Sequence, residues 1–384
     1  VDLVKGQFIA GNQLQIILGA GLVNETYEVF RQYTGTAGSP MAQVEAEAAK
    51  KEGRHVGVGM AMGGFNVGKG FIDHCEDALE LCEGGYINVY NTWQDLGQGA
   101  DIGTLTHVLK VLEPLNITPE QVRFVTNDTK LAPDSGLSAA SRSHFMNGRA
   151  LIDAANKLLG AMRKDDGTYR TYEEMVAENI PTKYMGHVDE SGQGYDPCQD
   201  PNTGEGNRFA QYTYGASCAL VEVDVETGKV KVLKYAIATD IGVIGNRLSV
   251  EGQGYGGISH SIGFALSEDY DGTEKAKNMA YCGIPTCEVI PDDIRLEFLE
   301  TNPRPNGPHG SSGCAEVFQC STHMPIINAI NNACGVRIYD LPATPAKIKA
   351  AWEKLQKGED LTPPKYFFGS EFEDELEYIR ENPI

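Results

Sequence analysis

The sequence predicts an α+β protein made of two mixed α/β units. Alternating apolar residues, which are typical of strands, occur in both halves of the chain, and each half also contains the apolar spacing of helices. Between the halves, residues 182–207 combine prolines, glycines and asparagines with few apolar side chains, as a linker does. A chain of 384 residues is long enough for two such units, and it shows no internal repeat of about 20–50 residues.

Residues 1–55 are expected to form a lead-in segment, and residues 56–181 the first α/β unit. The lead-in shows helical spacing at residues 14–22 and 27–33, followed by an alanine- and glutamate-rich stretch at residues 41–51. In the first unit, apolar patterns predict strands at residues 86–93 and 122–125 and helices at residues 102–112 and 145–162. The first unit therefore combines strands with helices.

The second unit is expected at residues 208–357, with a tail at residues 358–384. Its clearest feature is a β-hairpin, because two alternating stretches flank Glu226-Thr227-Gly228-Lys229, a turn whose glycine can adopt positive φ. After the hairpin come a glycine-rich segment, a strand and two helices, at residues 252–263, 294–299, 324–334 and 346–355. Glycine-rich turns in both units predict a ligand held between them.

The charge balance excludes a nucleic-acid partner. Lys and Arg number 32 against 53 Asp and Glu, and the resulting formal net charge of −21 repels phosphate backbones and anionic lipids. No apolar run reaches the roughly 18 residues of a membrane helix, and no signal peptide is recognisable, so we expect no membrane partner and a cytoplasmic location. The nine cysteines are an odd number without a C-x-x-C pair, which indicates reduced thiols.

Four segments of small residues carry the functional signal, at residues 97–101, 135–141, 252–257 and 310–316. Two of them closely precede helical patterns, and small residues let the backbone N–H groups at the start of a helix approach an anion. For any one segment, tight turns and close packing are an equal alternative. Because the pattern occurs four times, it favours a phosphate-bearing ligand.

Two segments resemble nucleotide-binding motifs, but each lacks a residue that the motif needs for its chemistry. Gly252-x-Gly254-x-x-Gly257 matches the dinucleotide-binding pattern, although the acidic residue expected about 20 positions later is offered only loosely by Asp269 or Asp271. Residues 63–70 resemble a phosphate-binding P-loop, yet Gly70 stands where a Ser or Thr hydroxyl must reach magnesium. Neither motif identifies a nucleotide site.

Glu316 is the one carboxylate in a run of small residues and cysteines from Gly307 to Cys320. Its small and apolar neighbours would leave the carboxylate poorly solvated, which suits a general base near neutral pH. The alternative is a glutamate that caps a helix or forms an ion pair just before the helix predicted at residues 324–334. Residues alone leave both interpretations open.

Cys314 offers two further hypotheses. It could form a thiol–imidazole pair with His309 or His323, as in a cysteine-dependent acyl enzyme, or a metal site with Cys320 and His323. No second pair of metal ligands and no third group that would orient the imidazole can be named. The remaining histidines, among them His107 and His144, lie in helical patterns and are expected to be structural.

The identity and order of the small-residue segments resemble the molybdenum hydroxylases, the family of xanthine oxidase and aldehyde oxidoreductase. The similarity is to the C-terminal half of the family's molybdopterin-binding subunit and extends over roughly residues 56–355. Gly97-Gln98-Gly99 and Gly313-Cys314-Ala315-Glu316 are among the segments that carry the resemblance, although Gly-Val-Gly-Glu is common in the family where Gly-Cys-Ala-Glu stands here. Ala139-Ala140 departs from the pattern, because a glycine pair stands there in some bacterial members.

The resemblance implies a molybdenum–pyranopterin cofactor, in its cytosine dinucleotide form, with no protein side chain as a metal ligand. Glu316 would be the catalytic base while water-derived oxygen is inserted at an electron-poor carbon, of an aldehyde or an aromatic N-heterocycle, with hydride transfer to molybdenum. The residues that would hold the cofactor are Gly97, Gln98, Gly99, Ala100, Ser138, Ala139, Ala140, Ser141 and Gln253.

The resemblance also implies partners. The family's first molybdenum-binding domain and its iron–sulfur domains have no counterpart in this sequence, so we expect a chain or domain that carries the former, an iron–sulfur subunit and an FAD subunit. A non-catalytic subunit that binds the cofactor or has a structural role is the alternative. The presence of Glu316 and Gln253 argues against it.

Overall fold

The computed structural model describes residues 41–68, 73–126, 128–190, 209, 211–270, 272–300, 302–361, 378 and 380–382. The helical patterns at residues 14–22 and 27–33, most of the predicted linker and most of the tail lie outside these ranges. The strands are β1 His55–Val67, β2 His74–Cys82, β3 Tyr86–Tyr90, β4 Val122–Val125, β5 Lys183–Asp189, β6 Gln211–Asp224, β7 Lys229–Asp240 and β8 Asp293–Leu299.

The described residues also form eight α-helices. They are α1 Met41–Lys51, α2 Ala100–Val111, α3 Arg142–Met162, α4 Tyr172–Ala177, α5 Arg247–Leu266, α6 Val317–Cys320, α7 Met324–Cys334 and α8 Pro345–Gln356. Two four-stranded sheets and these helices confirm the predicted α+β class. None of the helices within the described ranges has the length and apolar content to cross a membrane.

One sheet has the strand order β1-β6-β7-β8. The predicted hairpin forms its centre, because β6 and β7 pair antiparallel and the turn between them places Gly228 at φ 75°. Helix α7 packs on β1 so closely that an added Cβ at Gly59 would come within 2.1 Å of the Pro325 carbonyl oxygen. Buried apolar side chains of α5, α7 and α8 complete the core of this layer.

The second sheet has the strand order β4-β3-β2-β5. Helices α2 and α3 cover it, with Leu151 and Leu158 of α3 fully buried against the strands. Its edge strand β5 corrects the linker prediction, because residues 183–189 pair with β2 instead of forming a connection. The apolar pattern of this strand is weak, because Gly186 and Val188 are the only residues that β5 buries.

Strand β1 does not share a sheet with the other strands of the predicted first unit. It pairs with β6 from His55 opposite Val223 to Val67 opposite Gln211, so it belongs to the sheet of the second unit. A division of the chain at residue 56 therefore does not follow the sheets. Local apolar periodicity reports that a strand exists, but it carries no information about a partner more than 140 positions away.

The glycine-rich segment at residues 252–263 is helical, whereas the sequence predicts a turn. It lies inside α5, whose first turn is capped by the Asn246 side chain accepting a hydrogen bond from the Ser249 N–H. The glycines serve close packing: an added Cβ would come within 2.6 Å of Leu296 at Gly254 and within 2.5 Å of Phe318 at Gly257. Glycine lowers helix propensity by about 1 kcal/mol per residue, and here the close contacts with β8 and α6 offset that loss.

We predict that Gly186→Ala destabilises the chain by at least 1–3 kcal/mol, a magnitude typical of about one inserted methyl group in a packed core. An added Cβ at Gly186 would lie 1.8 Å from the Ala150 carbonyl oxygen of α3. Urea denaturation would measure the free energy of unfolding. Gly160→Ala, on helix α3, is the matched control, because no atom outside the local helix backbone lies within 4 Å of its added Cβ. This variant should be neutral or slightly stabilising. Equal stability of the two variants would contradict the placement of β5 against α3.

Candidate functional site

All four small-residue segments line one cavity of about 360 Å³. This volume lies in the range of small-molecule sites in proteins. The predicted site residues on its wall are Gln98, Gly99, Ala100, Ser138, Ala139, Ser141, Gln253 and Glu316, whereas Gly97 and Ala140 lie outside the lining. The structure therefore brings together eight of the ten residues that the sequence singled out, from segments up to 218 positions apart.

The Glu316 carboxylate is held by Ser141. Oε1 accepts a hydrogen bond of 3.1 Å from the Ser141 N–H, and Oε2 accepts one from the Ser141 hydroxyl. The helix predicted at residues 324–334 begins after His323, and neither this helix nor α6, which begins directly after Glu316, has a capping side-chain hydrogen bond, so the structure does not support the capping alternative. Among the described residues that line the cavity, Glu316 is the one with a formal charge at neutral pH.

The backbone that presents Ser141 is strained. Ala140 and Ser141 have φ values of 50° and 53°, in the left-handed region where residues with a Cβ cost of order 1 kcal/mol or more. Gly313 is needed opposite, because an added Cβ there would come within 2.1 Å of the Ser141 Cβ.

A fully buried arginine holds this strained loop. Arg142, the first residue of α3, forms a two-point ion pair with Asp73, which is itself buried. Its Nη1 donates to the carbonyl oxygens of Ser135 and Leu137, at 2.8 and 3.1 Å. Its Nη2 also donates to the His74 carbonyl oxygen, at 2.7 Å. The guanidinium therefore fixes both ends of the loop that ends at Ser141.

Asp77 supports the same loop from the neighbouring strand β2. Its Oδ1 accepts hydrogen bonds from the Ser135 hydroxyl at 2.6 Å and from the Asn147 amide at 3.3 Å. Burial raises the pKa of this carboxyl well above its usual value, and the hydrogen bonds from Ser135 and Asn147 oppose that shift. Asp77 lies outside the cavity lining, so its role is to position the loop.

Three helices of twelve or more residues begin at the cavity. Gly99 and Ala100 mark the start of α2, Ser141 the start of α3, and Asn246 the start of α5, and all four line the cavity. The first N–H groups of a helix lack partners within the helix and carry partial positive charge, so they favour anions. Within this chain the carboxylates of Asp95 and Glu316 already accept hydrogen bonds from N–H groups at the starts of α2 and α3. The cavity therefore offers an anion the partial positive charge of three helix ends, with no lysine or arginine in its described lining.

The two predicted glutamines contact each other through one hydrogen bond. The Gln253 amide Nε2 donates to the Gln98 carbonyl oxygen at 3.3 Å, which links the start of α2 to α5. The Gln98 side chain is used within its own loop, accepting from the Leu96 N–H at 2.6 Å and donating to the Gln94 carbonyl oxygen at 2.7 Å. Gln98 thus shapes the loop, and its backbone carbonyl meets Gln253.

The Cys314 hypotheses fail on geometry and charge. Burial, and then the charge of Glu316, raise the pKa of the Cys314 thiol to about 12, so it is not a thiolate at neutral pH. His323 makes an edge-on ring contact with Phe264, and no hydrogen bond joins it to Cys314 in the part of the chain described. Within the same residues, no group of three or more His, Cys, Asp and Glu side chains is placed to hold a metal ion.

Sequence reasoning missed the rings on the cavity wall. Trp93, His107 and His144 line the cavity, and the ring centroids of His107 and His144 lie 5.0 Å apart. Burial, and then the charge of His309, lower the pKa of His144 to about 4, so its ring is neutral at physiological pH. Both histidines lie in helical patterns as expected, but only the packing of α2 against α3 brings them together.

The family model for the molybdopterin cofactor-binding domain matches residues 36–291. The chain belongs to this family of molybdenum hydroxylase domains. It is 40% identical over 315 residues to an aldehyde oxidoreductase of Megalodesulfovibrio gigas, a match that covers 81% of this chain and 34% of the relative. It is 26% identical to the gamma subunit of the 6-hydroxypseudooxynicotine dehydrogenase complex of Paenarthrobacter nicotinovorans, with 82% and 42% covered.

The solved structure of the aldehyde oxidoreductase from Desulfovibrio desulfuricans ATCC 27774 superimposes with a TM-score of 0.79 at 39% identity. That match covers 85% of this chain and 35% of the other. The chain therefore spans about a third of the length of these aldehyde oxidoreductases. Fold and family are shared, and the activity of a complete enzyme is a separate question.

We predict that Arg142→Met destabilises the chain by about 3–5 kcal/mol, because Asp73 would be left as an unpaired buried charge. A shift of the urea denaturation midpoint would measure the loss. Lys157→Met on the same helix is the matched control, since the ion pair of Lys157 with Asp153 is exposed and should contribute less than about 1 kcal/mol. A loss as small as that of the control would show that the buried pair does not hold the loop.

We also predict that His144 makes stability depend on pH. Its folded pKa of about 4 lies below the ordinary 6.5, so between these values the unfolded chain binds more protons than the folded chain. The contribution of neutral His144 to the free energy of unfolding is therefore complete above the ordinary pKa. It is lost as the pH falls toward the folded pKa, by up to about 1.4 kcal/mol per pH unit. Unfolding free energies of His144→Gln should fall less steeply with acidification than those of wild type. Identical slopes for the two proteins would contradict the prediction.

Proposed function

We propose that this chain is the molybdenum–pterin-binding catalytic subunit of a hydroxylase or dehydrogenase. Its substrate class is an aldehyde or an aromatic N-heterocycle, at whose electron-poor carbon a water-derived oxygen is inserted. The observation that carries the proposal is the position of Glu316, a lone carboxylate on the wall of a cavity lined by all four small-residue segments. The family and the aldehyde oxidoreductase relatives support the same assignment.

The residues of the cavity suit a molybdenum–pterin cofactor. The starts of α2, α3 and α5 carry the partial positive charge of helix ends, which favours its phosphates, and the described lining contains no lysine or arginine. We propose that the pterin, and no protein side chain, binds the metal. Ser138, Ala139 and the Gly99-Ala100 step leave room for a large group to approach the backbone.

When bound, this cofactor supplies the two-electron redox chemistry of the reaction, and the protein supplies the proton transfer. Glu316 is proposed as the base that accepts a proton as the new C–O bond forms. Ser141 holds both carboxylate oxygens, which restricts the carboxylate to one orientation toward the cavity. The buried Arg142–Asp73 pair keeps Ser141 in place, so the base is positioned before any ligand arrives.

The proposed cofactor and partners go further than the family assignment. We propose the cytosine dinucleotide form of the pterin. Iron–sulfur clusters and FAD are proposed on partner chains or domains, because the chain spans about a third of the aldehyde oxidoreductase relative (34%) and the second relative is a subunit of a named complex. A further partner chain or domain would close the cavity. It would correspond to the first molybdenum-binding domain of the family.

Glu316→Gln should lower kcat by about 10²-fold or more, because a positioned general base contributes about 10²–10⁴ to rate. Molybdenum and pterin content of the purified complex should stay at wild-type values, since the amide preserves shape and can still accept from the Ser141 N–H. Metal analysis and pterin fluorescence would measure content, and steady-state kinetics with an aldehyde would measure turnover. Glu353→Gln, an exposed glutamate of α8, is the control.

Each outcome assigns a different role to the chain. Full activity of Glu316→Gln would favour the non-catalytic alternative, in which the chain binds the cofactor or serves a structural role. A wild-type complex without molybdenum or pterin would refute the cofactor assignment itself. Cys314→Ser should retain activity, and its inactivation without any molybdenum requirement would instead support a cysteine-dependent enzyme.

A further inference from the structure

The stretch of chain that leads to Glu316 forms one wall of the cavity. We define the approach segment as residues 311–315, all of which line the cavity. The segment touches Ser141 at Gly313, where an added Cβ would come within 2.1 Å of the Ser141 Cβ. The hydrogen bonds between Ser141 and Glu316 therefore require that the approach segment keeps its place, and Arg142 fixes only the Ser141 side of this contact.

Backbone hydrogen bonds join the approach segment to the chain that leaves strand β7. The Val243 N–H donates to the Gly310 carbonyl oxygen at 3.0 Å, and the Ser312 N–H donates to the Ile241 carbonyl oxygen at 2.9 Å. The residues between these two bonds form an antiparallel bridge. The approach segment is therefore positioned by the groups that fix the end of β7.

A second buried ion pair lies at this junction. Asp240, the last residue of β7, is fully buried, and Arg304 is 8% exposed. Arg304 Nη2 donates to Asp240 Oδ1 at 2.9 Å and shares its N–H groups with the carbonyl oxygens of Asp240 and Tyr212, at 3.2 and 3.3 Å. The Gly242 N–H also donates to Asp240 Oδ1, at 3.4 Å. The Arg304 backbone N–H donates to the Gly310 carbonyl oxygen at 2.8 Å, so one arginine holds both sides of the junction.

The pair acts on the cavity only through the backbone. Neither Arg304 nor Asp240 belongs to the cavity lining, so neither contacts a ligand there. Burial raises the pKa of Asp240, and the charge of Arg304 opposes that shift. A buried ion pair adds little net stability compared with apolar residues, but breaking it leaves a buried charge without a partner. Its effect is therefore to restrict the junction to one geometry.

We propose that Arg304 is a positioning residue for Glu316. Through Asp240 and the Gly310 carbonyl oxygen it fixes the approach segment against Ser141, while Arg142 fixes Ser141 from the other side. The two buried arginines thus support one hydrogen-bonded contact from opposite directions. The inference rests on the proposed function only in taking Glu316 as the base, because the same geometry positions this carboxylate for any role.

The test is a double-mutant cycle of Ser141→Ala and Glu316→Ala in the full chain, measured as urea denaturation midpoints. Midpoint shifts of residues in contact do not add, and the non-additivity reports the contact between Ser141 and Glu316. The cycle is repeated with Arg304→Met. It is also repeated with the combined Arg304→Met and Asp240→Asn, which leaves no buried charge unpaired and keeps the chain folded if the single variant does not fold.

Arg54→Met is the matched control. Arg54 forms a two-point ion pair with Glu222 on the same sheet, toward the end of β6 that is far from Tyr212. Its removal should leave the non-additivity at the wild-type size. In both Arg304 backgrounds the non-additivity should fall by about twofold or more.

A purely structural role of Arg304 would lower all midpoints equally and leave the non-additivity unchanged, and that result would overturn the proposal. In the purified complex, Arg304→Met should lower kcat with an aldehyde, and should cause little further loss when added to Glu316→Gln, because both changes act through one carboxylate. An equal further loss would show that Arg304 acts apart from Glu316. A wild-type complex without turnover would refute the proposed function, and the cycle still tests Arg304.

Discussion

The buried ion pair of Arg142 and Asp73 is the interaction on which the site depends. A guanidinium without solvent contact must have all its N–H groups satisfied, and here Asp73 and the carbonyl oxygens of His74, Ser135 and Leu137 satisfy them. Meeting that requirement closes the loop before α3 into a single conformation. Because Ser141 ends this loop, the strain of its left-handed backbone is maintained by the pair. Burying charge to obtain a unique local structure fits a region whose purpose is precise placement.

The charges and polar groups that line the cavity indicate what kind of ligand it can bind. The described lining presents one carboxylate, the positively polarised starts of three helices and three neutral rings. Burial keeps the Cys314 thiol protonated, and within the described residues no cluster of side chains is placed to hold a metal ion. A cofactor that brings its own metal and its own negative charges complements the cavity. Under the proposed function, the chain would hold that group and move a proton.

Glycine has two different uses in this fold, and the sequence does not distinguish them. At Gly228 and Gly99 it allows positive φ in a turn or before a helix, which is the use that a run of small residues suggests. At Gly59, Gly186 and Gly257 it instead removes a Cβ so that a helix and a neighbouring element can touch. The second use explains why the α5 sequence resembles a loop. Its glycines lower helix propensity, but they allow the close contacts of α5 with β8 and α6.

Local patterns in the sequence determined the hairpin of β6 and β7, the helices α2, α3, α7 and α8, and the identity of the small-residue segments, because these depend on residues close in the chain. The resemblance carried by those segments identified the family, and it led to the proposal of Glu316 as the base. Tertiary structure alone decided that β1 completes the sheet of β6, that β5 is a strand, and that Ser141 holds Glu316 across 175 positions. It alone brought His107 to His144. Contacts of this kind arise from how elements pack, and no short-range periodicity records which distant element a side chain will meet.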